Sequence, residues 1–102
     1  MYNILYLKTA RQDMIDIARY IQTELDNPLA AKKLIEKIMD AIDGLSEFPF
    51  AYPVYPSTRK LKNEYRKRTV DNYIVFYYID KDKMTVKISR VIYAKRDITK
   101  LL

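Results

Sequence analysis

Three short runs rich in β-branched and aromatic residues, separated by polar turns, most constrain how this chain can fold. Residues 65–70, 73–79 and 84–93 have the length and the Val, Ile and Tyr content of β-strands. Asp71-Asn72 separates the first two runs and residues 80–83 separate the last two, and both separators suit hairpin turns. The sequence therefore predicts an antiparallel meander of three strands, with the run that is apolar on both faces at its centre.

Two amphipathic helices are predicted before this meander. Apolar residues recur at helical spacing over residues 10–25 and again over residues 31–45. Thr9 opens a capping-box pattern at the start of the first helix. Asn27, followed by a proline, provides an N-cap for the second helix, which is predicted to end around Gly44. Because only about three residues separate the helices, we expect them to form an antiparallel hairpin.

The remaining segments complete the predicted fold. Residues 2–7 resemble a short strand, and residues 95–102 suit either a short helix or a tail. Residues 46–63, with three prolines and four aromatic residues, are long for a loop, so they form a functional loop or contain an unrecognised element. The order β-α-α-β-β-β predicts one α+β domain over residues 1–102. Its two helices are expected to pack on one face of an antiparallel sheet and to leave the other face available.

The composition limits the chemistry that the chain can perform. It has no cysteine and no histidine, which removes disulfides, thiolate metal sites and the commonest general base. Any catalysis must use Arg, Lys, Tyr or carboxylates, and we expect neither a metal nor another cofactor. No apolar run approaches the length of a membrane helix, and the start does not resemble a signal peptide. A cytoplasmic protein without membrane association is therefore expected.

Positive charge is concentrated in the second half of the chain. Residues 1–50 contain six Lys/Arg and eight Asp/Glu, whereas residues 51–102 contain thirteen Lys/Arg and five Asp/Glu. This asymmetry indicates a surface for a polyanion or an acidic partner, although a lysine-rich surface that only aids solubility gives the same pattern. Because side chains alternate along a strand, Arg66 and Arg68 are predicted to share one face and Lys67 to occupy the other.

Five segments of the chain match, in the same order, the patterns of one group of proteins. They are A-x-x-D-M-x-D-I-x-x-Y-I at 10–21, N-P-x-A-A at 27–31, L-x-x-F-P at 45–49, Y-R-x-R with N-Y-I-V-F-Y-x-I-D at 65–80, and R-V-I-Y-A-K-R-D at 90–97. With these patterns the chain resembles the RelE/ParE superfamily, the toxins of type II toxin–antitoxin pairs. The resemblance implies a growth inhibitor that a cognate antitoxin neutralises. RelE-type members cut mRNA in the ribosomal A site, whereas ParE-type members poison DNA gyrase.

The resemblance also assigns expected roles to individual positions. Arg66, Arg68 and Arg96 fill positions that are basic in RelE-like ribonucleases. Ile74, however, follows Tyr73 where those enzymes usually have an arginine, and Leu102 stands near the place of their C-terminal catalytic tyrosine. Both departures favour a ParE-like protein that acts on gyrase. A RelE-like endoribonuclease, and a degenerate toxin that only binds its antitoxin, remain as alternatives.

Two sets of site residues follow from these alternatives. For a ribonuclease, three arginines would hold the phosphate and a tyrosine would act as base, with Lys67, Lys95 or Glu64 as other candidates for that role; the predicted catalytic residues are Arg66, Arg68, Arg96 and Tyr93. The residues predicted to contact the target or nucleic acid are Arg59, Lys60, Lys62, Arg66, Lys67, Arg68, Lys95 and Arg96. The expected partners are a cognate antitoxin and either DNA gyrase or the ribosome with its mRNA.

Overall fold

The computed structural model describes residues 1–57, 60–99 and 101–102. In chain order they form β1 (Asn3–Tyr6), α1 (Lys8–Thr23), α2 (Pro28–Asp43), a 3-10 turn (Gly44–Ser46), β2 (Arg66–Val70), β3 (Tyr73–Asp80) and β4 (Thr85–Tyr93). This order confirms the predicted α+β architecture, with both helices on one face of the sheet. Among the described residues, neither helix is long and apolar enough to span a membrane.

The described strands form a mixed sheet in the order β1-β4-β3-β2. The predicted meander is confirmed, because β3 pairs antiparallel with both β2 and β4. The first strand differs from the prediction: β1 pairs in parallel with β4, and Asn3 lies opposite Thr85. The sheet is therefore not antiparallel throughout. The sequence indicates that residues 2–7 form a strand, but its pairing depends on where the helical hairpin returns the chain.

The predicted capping box at Thr9 is wrong. Helix α1 begins one residue earlier, at Lys8, and its N-cap residue Leu7 makes no side-chain capping bond. Only Leu7 separates β1 from α1, so the first helical turn forms directly against β4. The Thr9 hydroxyl donates instead to the carbonyl oxygen of Ser89, at 2.6 Å. It thereby satisfies a strand carbonyl just beyond the end of β1, where β4 has no strand neighbour on that side.

The N-cap predicted for the second helix is confirmed. The Asn27 side-chain oxygen accepts a hydrogen bond from the backbone N–H of Ala30 at 3.1 Å, and Pro28 occupies the first turn. Helix α2 then packs against α1, as expected for a helical hairpin with a short connection. The apolar stripes of both helices cover one face of the sheet. The buried residues of this main core are Ala10, Ile38, Ile42, Leu45, Val70, Val75, Tyr77, Val86, Ile88 and Val91.

The opposite face of the sheet is also largely covered, which corrects the expectation that it is available. Phe76 and Ile92 lie on this outer face, and they are 0% and 1% exposed. The ring of Tyr55, from the long segment before β2, packs edge-on against Phe76 with the centroids 5.3 Å apart. The C-terminal residues form a tail with a turn rather than a regular helix, and the Leu101 carbonyl accepts a bond from Arg90 Nη1 at 3.1 Å.

Candidate functional site

The alternation predicted along β2 is confirmed, and it directs the two arginines toward the helical side of the sheet. Arg66 and Arg68 pair with Tyr77 and Val75, whose side chains lie in the core that the helices cover. Lys67 pairs with Phe76 and points to the outer face. The arginines are only partly exposed. They therefore pack against another part of the chain, the segment between the 3-10 turn and β2.

Arg66 is held in this position by three contacts. Its Nη1 donates to the carbonyl oxygen of Tyr52 at 2.8 Å, and its guanidinium carbon lies 5.2 Å from the ring centroid of Phe50. Its Nη2 lies 3.8 Å from Glu64, a long separation for an ion pair with a carboxylate that is 70% exposed. A cation over an aromatic face is favourable and keeps its charge. Arg66 therefore supports the loop and still presents positive charge to the surface.

Arg68 carries a charge that the described residues do not neutralise. Its guanidinium carbon lies 4.5 Å from the ring centroid of Tyr52, and Nη1 donates to the Thr69 carbonyl oxygen at 3.3 Å. Its Nε is buried and has no hydrogen-bond partner among the described residues. A buried donor without an acceptor is costly, and a charged one is more so. An anion that approached the accessible side of this guanidinium would meet a positive charge that no carboxylate of the described residues pairs with.

Tyr77, which lies opposite Arg66 on β3, connects the long segment before β2 to the core. Its side chain is completely buried, and its hydroxyl donates to the Pro49 carbonyl oxygen at 2.8 Å. Burial raises the pKa of Tyr77 to about 12, although the nearby positive charge of Arg66 acts in the opposite direction. The phenol therefore stays protonated at neutral pH. It fixes the loop on which Phe50 and Tyr52 stand, so it supports the arginines from below.

The other predicted catalytic residues lie at the far end of the sheet. Tyr93 ends β4 opposite Tyr73, with their rings in contact at 5.6 Å, and a turn then leads to Arg96. Arg66 pairs with Tyr77, four residues along β3 from Tyr73. At about 3.3 Å per residue, this separates the two backbone positions by about 13 Å. Arg66 and Arg68 therefore form one cluster, and Tyr93 and Arg96 form another.

The remaining predicted contact residues surround these clusters. Lys60, Lys62 and Lys95 are exposed, and Lys67 is half-buried on the outer face. Arg59 falls outside the described residues, so its predicted role is not assessed. The described part of the chain has no group of three or more acidic, His or Cys side chains that could hold a metal ion. The cations are thus spread over the β2 edge and the C-terminal region, and they do not converge on one point.

A large groove between the helices and the sheet was not anticipated from the sequence. It has a volume of about 780 Å³. The residues that line it are Asp13, Asp16, Ile17, Tyr20, Ile21, Leu25, Ala30, Leu34, Asp71, Asn72, Tyr73, Val91, Tyr93 and Arg96. We call it the helix–sheet groove. Its walls are largely apolar, and two of its large side chains, Tyr20 and Leu25, are 54% and 57% exposed. Helical periodicity assigned Leu25 to the apolar stripe of the first helix and could not reveal that the hairpin tip extends beyond the core.

One ion pair closes the end of this groove next to β4. Asp13 on α1 accepts from Arg90 Nε at 2.8 Å, from Arg90 Nη2 at 3.0 Å and from the Val91 backbone N–H at 2.9 Å. The hydrogen bonding that Arg90 donates to Asp13 is the main cause of the raised pKa of Arg90. Because Arg90 also binds the Leu101 carbonyl, this pair links the helical layer, the sheet and the C-terminal tail. Its position indicates a structural role.

Two solved structures share the fold of this chain. In a chromosomal ParDE toxin–antitoxin system from P. aeruginosa, a chain superposes with a TM-score of 0.76 at 16% identity, covering 93% of this chain and 98% of that one. In the toxin–antitoxin complex RelBE2 from Mycobacterium tuberculosis, a chain superposes with a TM-score of 0.65 at 22% identity, covering 90% and 96%. At these identities the likeness shows the shared fold. None of the curated proteins compared matches the chain significantly.

The family model for the ParE toxin of the type II toxin–antitoxin system parDE matches residues 4–98. The match covers nearly the whole chain, from β1 to the turn after β4. The chain therefore belongs to the ParE toxin family, within the RelE/ParE superfamily that the sequence motifs indicated. It is a type II toxin by family.

Proposed function

We propose that this toxin inhibits growth by poisoning DNA gyrase and that a cognate antitoxin neutralises it. The observation that carries the proposal is the separation of the predicted catalytic residues: Arg66 and Arg68 lie on β2, opposite Tyr77 and Val75, whereas Tyr93 ends β4, opposite Tyr73. Because β3 lies between these two strands, their backbones are about 10 Å apart across the sheet. Phosphodiester cleavage needs a base, a phosphate clamp and an acid around one reacting group. Separate clusters suit a surface that contacts a large partner at several points. Such a target implies that the toxin acts in the cytoplasm.

The first cluster supplies the strongest candidate contact with this target. Arg68 is stacked on Tyr52 and donates to the Thr69 carbonyl oxygen, so its guanidinium is already oriented. Preorganised side chains lose little conformational entropy on binding, and arginines are prominent among residues that dominate interface energies. Arg68 is therefore proposed as a contact residue. This role requires no acid–base partner, so a substitution at this position is expected to weaken inhibition partially and not to abolish it.

The target can be identified with purified components and in cells. We expect the toxin to block supercoiling by purified gyrase, and to reduce thymidine incorporation before amino-acid incorporation after induction. Arg68→Ala should raise the concentration for half-inhibition about tenfold, since it removes one charged contact. Arg19→Ala, which changes an exposed arginine on α1, should leave it unchanged. Early loss of amino-acid incorporation, with mRNA cut at ribosomes, would instead identify an endoribonuclease, and normal growth would identify a degenerate toxin.

The helix–sheet groove is the proposed binding site for the antitoxin. The groove is open and apolar, and its volume can take several side chains of a partner. The two solved relatives described above come from toxin–antitoxin systems, which supports a protein as its occupant. An apolar segment of the antitoxin would cover Tyr20 and Leu25, which are otherwise exposed. This coverage would stabilise the complex through apolar area removed from water.

The product of the gene that neighbours the toxin gene provides the test of this site. In isothermal titration, Leu25→Ala should weaken its binding about tenfold, because a large apolar contact is lost. Leu29→Ala is the matched control, since Leu29 is 60% exposed on the same hairpin and does not line the groove. Equal affinities for both variants would place the antitoxin elsewhere. Absence of binding to the unchanged toxin would reject that gene product as the antitoxin.

A further inference from the structure

Strand β3 extends beyond its neighbour at one edge of the sheet and leaves a small notch there. Arg66, the first residue of β2, lies opposite Tyr77, but β3 continues for three more residues to Asp80. The notch has a volume of about 90 Å³. We call it the β3-edge notch, and the residues used in the argument are Phe50, Asn63, Glu64, Arg66, Tyr78 and Lys81.

Two cations converge on a single aromatic ring in this notch. The Arg66 guanidinium carbon lies 5.2 Å from the Phe50 ring centroid, and Lys81 Nζ lies 5.5 Å from the same centroid. Two positive charges that share one ring repel each other, and the ring offsets only part of this repulsion. The two side chains come from distant parts of the sequence, so neither charge pattern nor spacing reveals the pair. An anion between them would remove the repulsion.

The notch is short of negative charge. Glu64 is its one carboxylate among the described lining residues, and it lies 3.8 Å from Arg66 Nη2 while 70% exposed. Lys81 has no ion pair within the described part of the chain. One weakly engaged carboxylate therefore faces two cations. The net positive charge and the Asn63 amide both suit an incoming carboxylate, which accepts hydrogen bonds and carries one negative charge.

The size and surroundings of the notch favour an acidic side chain of a protein. A volume of about 90 Å³ is sufficient for a carboxylate. The surface beside it has an apolar side chain, since Val54, which bridges to Arg66, is 42% exposed. An acidic residue flanked by apolar residues would fit both features. A nucleic acid would gain less from the apolar surroundings.

We propose that the β3-edge notch binds a glutamate or aspartate side chain of the antitoxin, between Arg66 and Lys81 and against the Phe50 ring. This inference rests on the proposed function, because it assumes a protein that neutralises the toxin. It assigns a second contact, on the sheet edge remote from the helix–sheet groove. An antitoxin that reaches both sites would cover the Arg66 and Arg68 cluster as it crosses the molecule.

The first test compares two lysines of the same turn. Lys81→Ala should weaken binding of the neighbouring gene product about tenfold, the usual effect of losing a hydrogen bond to a charged group. Lys83→Ala, in the same exposed turn and outside the notch, should not change it. Binding that weakens with Leu25→Ala but not with Lys81→Ala would overturn the proposed role of the notch and leave the proposed function intact. No binding to the unchanged toxin would reject that gene product as the antitoxin, and the second test would then decide the notch alone.

The second test needs no antitoxin. The labelled toxin is titrated with glutamate that is acetylated and amidated at its ends, and the Phe50 ring and Lys81 resonances are followed by NMR. We expect saturable shifts at millimolar concentration that disappear in Lys81→Ala and are absent with the equivalent capped glutamine. No shift with capped glutamate would overturn the proposal. Shifts with inorganic phosphate or a short oligonucleotide but not with glutamate would indicate a nucleic-acid contact and would overturn it as well.

Discussion

Replacing Asp13 by alanine is expected to lower the free energy of unfolding by about 3 kcal/mol, because it breaks a mostly buried ion pair. Asp13 and Arg90 are 13% and 19% exposed, and Asp13 also accepts the Val91 N–H at 2.9 Å. The substitution leaves a guanidinium and a strand N–H without their acceptor. For a domain of this size the midpoint of thermal unfolding should fall by about 15 °C, as calorimetry or circular dichroism can measure.

The control for this prediction lies one turn further along α1. Asp16 is exposed, and within the described part of the chain its side chain bonds to Gln12 on the same helix, so Asp16→Ala should change stability by less than about 0.5 kcal/mol. The double variant Asp13→Leu with Arg90→Met should recover most of the loss, since apolar residues of similar volume can replace such a pair. A loss below about 1 kcal/mol for Asp13→Ala would show that the pair contributes little to stability.

Raising the pH from 10 to 12 is expected to destabilise the toxin by about 4 kcal/mol through two buried tyrosines. Burial raises the pKa of Tyr6 and Tyr77 from 10.0 to about 12. Below pH 10 both phenols are neutral in the folded and the unfolded chain, and this contribution to stability is fully present. Above pH 10 the unfolded chain loses these protons first, so the contribution falls until pH 12. Each shift corresponds to about 2–3 kcal/mol.

Urea unfolding at a series of pH values between 8 and 11.5 provides the measurement. Tyr77→Phe removes one of the two ionisable groups, so the decline between pH 10 and 11.5 should be about half as steep. At pH 8 the same variant should cost about 1 kcal/mol, because its bond to the Pro49 carbonyl is lost. If the variant and the unchanged toxin lost stability in parallel above pH 10, the burial of Tyr77 would not be the cause.

The order of elements and the meander could be predicted because they depend on local patterns. Helical periodicity predicted both helices, and the polar turns predicted the pairing of β2, β3 and β4. The parallel pairing of β1 with β4 could not be predicted, because it joins residues 82 positions apart, such as Asn3 and Thr85. The prediction of a capping box at Thr9 was wrong for a related reason. As an N-cap, the Thr9 hydroxyl would accept from a backbone N–H of the helix, but the tertiary structure brings the Ser89 carbonyl within reach, and the hydroxyl donates to it instead.

The candidate site was predicted in part. The alternation of Arg66 and Arg68 follows from strand geometry, and it was correct. Which sheet face they occupy depends on Val70, which joins the core on the helical side, and periodicity alone does not decide this. Likewise, the pairing of Arg66 and Lys81 over Phe50 requires three segments to meet. The motifs identified the family, whereas the contacts that distinguish this member arise only in the folded chain.

The pairing of β1 with β4 also bears on how the cell makes this protein. Strand β1 can pair only after β4 has been synthesised, so the sheet cannot be completed until translation has passed residue 93. Contacts between such distant positions form late, because the entropy cost of closing a long loop comes before the contacts can offset it. A chain released early would lack both the partner of β1 and Arg90, which holds α1 to the sheet. A cell that stops synthesis partway would therefore release a fragment that cannot complete the sheet.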